Sequence, residues 1–280
     1  AYNIVRDQAF IGIAATSTVS PTAGADAGPT KVDIRNNSIQ YYHLGQTSDA
    51  CVNTSAAISP AQKRSLRSAL RGVLPAGPGI PCFGVGIYQG AGIANAPEPS
   101  ASGLISRNRI SSGPDARFQF APVAGEDPGT PAQAIGILVV DQKHADGATT
   151  VLHNTVRRNG LGIVAVDAEG VHIIDNRVRE TFFGIAVYDT EGGALVRGNR
   201  ALDSVVGIFA DDEPFDMGSA LQYVTSDVLF KGNDASQNLD ESCVDDTTGS
   251  GTEGTANTWT NNDAEVNSST PDGICGPKVL

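Results

Sequence analysis

Five aspartates recur at one place in a repeated phrase. Counting thirteen residues on from Asn154, Asn176, Asn199 and Asn233 reaches Asp167, Asp189, Asp212 and Asp246. Asp141 stands at the same distance from Gly136-Ile137 as Asp167, Asp189 and Asp212 do from Gly162, Gly184 and Gly207. If the phrases stack, these carboxylates are near neighbours, and carboxylates that close share protons or hold a cation. Oxygen-only ligands in an acidic setting suit Ca²⁺, which makes Asp141, Asp167, Asp189 and Asp212 candidate metal ligands. For acid/base work the candidates are Asp189, Asp211 and Asp212, with His144 the histidine that follows the column. Adjacent-coil carboxylates at about 5 Å match a retaining glycosidase pair, and a two-coil separation approaches the inverting one. Tyr188, Phe209, Asp167 and Glu191 would line the same corner as substrate-binding residues. The plain alternative is that Asp-x-Glu-Gly is a turn sequence, in which aspartate caps its own bend and glycine supplies positive φ.

The elements that would position these residues follow from the repeat. An asparagine recurs at 37, 108, 154, 176, 199, 233 and 262, preceded by alternating apolar residues such as Val171 and Ile173. Period-two alternation of that kind predicts a short strand ending in a turn. A Gly-Ile phrase follows eight residues after Asn154, Asn176 and Asn199. Two short strands per 22 or 23 residues, with no helical pattern between them, predict stacked coils of a parallel β-helix. The asparagines are expected to form an interior ladder, each amide satisfying backbone groups that a buried bend would orphan.

This arrangement resembles the right-handed parallel β-helix proteins of the pectin-lyase-like kind, and the resemblance covers nearly the whole chain. It implies an all-β, single-stranded right-handed solenoid of about seven to eight coils, one domain over residues 1–280. It says little about activity, because that fold hosts lyases, hydrolases, epimerases, adhesins and inert stalks. The Ala-Asp-Asp at 210–212 is similar to that of the inverting polygalacturonases, but their Asn-Thr-Asp, His-Gly and Arg-Ile-Lys elements are absent. Insertions are expected near 46–80, 111–134 and 213–226. The first carries SPAQKRSLRSALRGVL (59–74), which predicts one short helix with Ser59 as its N-cap. NIVRDQAFIGIAA (3–15) reads like NRVRETFFGIAV (176–187), so the chain is expected to begin partway through a coil, with further coils or a cap upstream.

The balance of 31 acidic against 19 basic residues, net −12, argues against nucleic acid as the main partner. No apolar run approaches the roughly 20 residues of a membrane span. Four cysteines without metal-ligand spacing predict the disulfides Cys51–Cys82 and Cys243–Cys275, the second clamping a C-terminal coil at 243–275, and a secreted protein. In the Gly-Ile strands the outward positions are Tyr88, Leu138, Val140, Val164, Val166, Ala186, Tyr188 and Phe209. An apolar face that wide needs cover from the 59–74 helix, the 111–134 loop, a second subunit or an apolar ligand. Three functions remain open. The first is a carbohydrate-active protein, hydrolase or lyase, that binds or cleaves a polysaccharide along the aspartate corner, with Ca²⁺ as its one candidate cofactor. The second is a non-catalytic structural or adhesive module, monomeric or assembled through the apolar face. The third is an enzyme acting on a small apolar substrate over Tyr188 and Phe209.

Overall fold

The computed structural model describes residues 4–6, 11–16, 31–41, 85–90, 102–112, 135–140, 148–190, 192–212, 224–265 and 268–277. The expected helix at 59–74, nearly all of the three insertions and the Cys51–Cys82 pair lie outside these residues. Among the described residues the chain is nearly all strand, in three parallel sheets of six, eight and seven strands. Sheet 1 runs from Ile4–Arg6 to Arg200–Leu202, sheet 2 from Ile11–Thr16 to Ser269–Thr270, and sheet 3 from Lys31–Arg35 to Thr258–Thr260. The chain visits the sheets in rotation, and each strand pairs in parallel with its counterpart one circuit later.

One circuit shows why the sequence folds this way. His172–Ile174 in sheet 3 ends at Asp175, whose φ of 51° turns the chain sharply before Asn176. The equivalent residues Asn36, Arg107, His153, Gly198, Gly232 and Asn261 are also in the left-handed region. Their N–H groups keep the parallel register through the bend, as from Asp175 to the Arg197 carbonyl at 3.0 Å. Arg177–Arg179 then runs in sheet 1, a second bend at Glu180 follows, and Phe183–Tyr188 runs in sheet 2.

All seven ladder asparagines form one continuous column. Asn176 illustrates it: its N–H and Nδ2 both donate to Asn199 Oδ1, at 2.9 and 3.0 Å, and Nδ2 also donates to the Val151 carbonyl. The same three bonds repeat at Asn108, Asn154, Asn199 and Asn233, and the column closes on Asn262. Each rung is 5% exposed or less, so every one of these groups would otherwise be orphaned in the interior.

The recurrent Gly-Ile has a steric cause. A Cβ on Gly184 would lie 2.4 Å from the Gly207 carbonyl oxygen and 2.9 Å from Ala201 Cβ, and Gly162 is placed alike against Gly184 and Val178. The corner between sheets 1 and 2 brings successive circuits too close for a side chain. A second polar column lines that corner five residues after Asn154, Asn176, Asn199 and Asn233: Asn159, Thr181, Ser204 and Asn238. Thr181 and Ser204 hydroxyls are 2.8 Å apart, and Ser204 N–H donates to Asn238 Oδ1 at 3.0 Å.

The interior is a stack of Ile and Val from all three sheets, ending in Phe230 and Trp259, whose rings stack with centroids 3.9 Å apart. The Cys243–Cys275 disulfide forms as expected and belongs to that interior. Leu138, Val140, Val164, Val166, Ala186 and Tyr188 alternate with the interior residues of sheet 2 and are 4% exposed or less. Phe209, on the same face, is half-buried.

Candidate functional site

Sheet 2 ends at the aspartate corner. Val166, Tyr188 and Asp211 are register partners, which stacks Asp167, Asp189 and Asp212 on successive rungs about 4.8 Å apart, as the spacing predicts. Asp167 and Asp189 have φ of 51° and 41°, and the Asp167 N–H donates to the Tyr188 carbonyl at 3.1 Å. Asp is one of the few side chains that tolerates this region, so part of the column's recurrence is a backbone requirement. Asp189 is 5% exposed, and its Oδ1 accepts from the Val224 N–H at 3.3 Å. Asp212 Oδ1 accepts from the Thr225 N–H at 2.8 Å, while the Thr225 hydroxyl donates to the Asp211 carbonyl at 2.6 Å. The corner thus anchors the backbone at Val224 and Thr225.

The last circuit departs from the thirteen-residue count. Ile208 pairs with Cys243 and Ala210 with Asp245, and the Asp246 N–H donates to the Ala210 carbonyl at 3.0 Å. That register sets Asp246 beside Asp211, one step short of Asp212. Both carboxylates leave the outward face of sheet 2, next to Tyr188 and Phe209, on neighbouring rungs. Phe209 stacks on Phe183 with centroids 4.8 Å apart and lies 5.7 Å from the Tyr188 ring. Burial, reinforced by the negative charge of Asp211, pushes the Tyr188 phenol far above its ordinary range. Asp246 reaches solvent, yet partial burial, then the charges of Glu241 and Asp245, push its carboxyl above the ordinary range. Asp211 and Asp246 therefore occupy equivalent positions on neighbouring rungs, with Tyr188 the register partner of Asp211 and Phe209 two residues before it.

Asp245 itself faces inward, at a position that is Val139, Ala165, Val187 and Ala210 in the preceding circuits. It is 3% exposed and saturated with donors. Trp259 Nε1 donates to Oδ2 at 2.6 Å, Asn257 Nδ2 to Oδ2 at 3.1 Å, and the Thr247 hydroxyl and N–H to Oδ1 at 2.6 and 3.1 Å. This interior carboxylate closes the C-terminal end of the stack and has no counterpart in the sequence reading. A signal was present: Trp is the chain's one tryptophan and stands in an inward strand position that had been Phe, Val or Ile.

Asp141, His144 and Glu191 lie outside the described residues. Among the described residues no three His, Cys, Asp or Glu side chains converge as ligands of one ion. His153 occupies the left-handed bend before Asn154, exposed, with Nε2 3.5 Å from Asp175 Oδ2. No helix among the described residues is long and apolar enough to cross a membrane. No protein-family model matches the chain, and no curated protein or solved structure matches it either.

Proposed function

We propose that this chain is a secreted right-handed parallel β-helix that acts on a glycan at the end of sheet 2, with Asp211 and Asp246 as its carboxylate pair. The observation that carries the reading is their placement on neighbouring rungs beside Phe209. Rung spacing of about 4.8 Å is close to the separation of a retaining glycosidase pair, about 5 Å. Asp246, held above the ordinary carboxylate range, takes the part of the acid that protonates the leaving oxygen. Asp211 takes the part of the nucleophile, and Phe209 offers a ring face to the sugar. Of the sequence candidates Asp189, Asp211 and Asp212, the pair keeps Asp211 and takes Asp246 in place of Asp189 and Asp212, which accept backbone N–H groups. The test is cleavage of a panel of neutral and acidic polysaccharides by the wild type, Asp211→Asn and Asp246→Asn.

The second reading is a structural or adhesive module without chemistry. The positive φ of Asp167 and Asp189 and the backbone bonds to Asp189 and Asp212 favour it, since they give the column a complete architectural use. Binding of a glycan without release of any product would select this reading.

A further inference from the structure

We propose that the outer side of the asparagine corner, over the circuits of Asn176, Asn199 and Asn233, is a docking surface for a sulfated glycan. The corner is basic in a chain of net charge −12. Arg177 pairs in register with Arg200, and Arg197 pairs in register with Lys231, so cations stand on successive rungs along both edges of the bend. All four are exposed. Arg200 is held by Asp234 at 3.1 Å. Arg177, Arg197 and Lys231 make no ion pair with any described carboxylate, although like charges stacked at rung spacing oppose one another. The facing acids are Asp175 and Asp234, and Asp175 lies against His153. Between the two edges lie the left-handed glycines Gly198 and Gly232; the Asp175 carboxylate sits over Gly198, and the space over Gly232 is open.

Four cations in register, against the two local carboxylates of Asp175 and Asp234, form a net-positive strip complementary to a linear polyanion. The remaining acidic surface is screened beyond about 8 Å at physiological ionic strength, so it is the strip that a bound chain feels. A partner carrying more than one charge per sugar gains most from closely spaced guanidinium groups, which bind tetrahedral oxyanions in a bidentate manner. That chemistry is a sulfated polysaccharide. The inference is independent of the carboxylate pair at the end of sheet 2 and requires no reaction.

The test is fluorescence anisotropy of a labelled heparin oligosaccharide with the full chain, its Arg197→Gln/Lys231→Gln variant, and a Lys31→Gln/Arg158→Asn control with the same charge change away from that corner. Binding by the wild type and the control, weakened about tenfold in Arg197→Gln/Lys231→Gln, is the expected result. No binding by the wild type, or equal losses in both variants, would overturn the proposal. Equal affinity for a DNA oligonucleotide of similar length would overturn it as well, by showing that bare charge is all that is read.

Discussion

The indole Nε1 of Trp259 donates to Oδ2 of Asp245 at 2.6 Å inside the final circuit, where the four preceding circuits place Val139, Ala165, Val187 and Ala210. A carboxylate in that position persists because four donor groups converge on it. Asp245→Asn would turn an amide N–H₂ toward donors that need an acceptor. It is expected to lower unfolding stability by about 2–4 kcal/mol, with Trp259→Phe costing about 1–3 kcal/mol. Chemical denaturation checks both, and an unchanged midpoint in Asp245→Asn would remove the hub from the account.

The asparagine column makes a graded prediction. Asn176→Ala removes two acceptor-seeking bonds and leaves the Asn154 N–H and Nδ2 without Oδ1, for a cost of about 2–4 kcal/mol. Asn176→Asp should be worse, because a carboxylate oxygen then faces Asn199 Oδ1 and the Val151 carbonyl. Thermal melts of the two variants must fall in that order.

Close approach rather than backbone conformation explains the Gly-Ile glycines. Gly184→Ala forces a Cβ to 2.4 Å from a carbonyl oxygen of the next circuit and should cost about 1–3 kcal/mol or more. Gly276→Ala, with open space around it and an ordinary φ, should be nearly neutral. Equal losses in the two would contradict the packing of the corner.

Acid titration should separate two kinds of carboxylate. Burial opposes ionisation of Glu180, but hydrogen bonds and charge from Arg157 and Arg158 hold it below the ordinary range, and Asp234 is held low in the same way by Ser236 and Arg200. Their folded pKa values lie below the unfolded ones, so their contribution is present above the unfolded value and lost as pH falls through the folded one. Asp246 is the reverse: raised when folded, it favours the native state at low pH and opposes it as pH rises through its folded pKa. Asp246→Asn should therefore raise the melting temperature at neutral pH and lose that advantage in acid. Glu180→Gln should flatten the acid limb. Melting temperature against pH for both variants is the check.

Much of the frame was legible in the sequence, because each circuit must satisfy the same buried bend. Asn37 to Asn262 recur for that reason, and the glycines at 136, 162, 184 and 207 recur because successive circuits approach too closely there for a side chain. The column at Asn159, Thr181, Ser204 and Asn238 was missed because its residues share a hydrogen-bonding capacity and not an identity. The thirteen-residue count failed at Asp246 because one residue more separates Asn233 from Cys243 than Asn199 from the paired Ile208. That single step turns Asp245 inward and brings Asp246 alongside Asp211. The left-handed conformation at Asp167 and Asp189 could not be told from chemistry by residue type, since aspartate serves both.

The reading of the Asp211/Asp246 pair is tested most directly by reducing-end release from a panel of neutral and acidic polysaccharides. The account predicts release by the wild type from at least one of them, with Asp211→Asn and Asp246→Asn each folded and at least a hundredfold slower, in the range of lost acid/base catalysis. Silence of the folded wild type across the panel, or undiminished release by both variants, would contradict it.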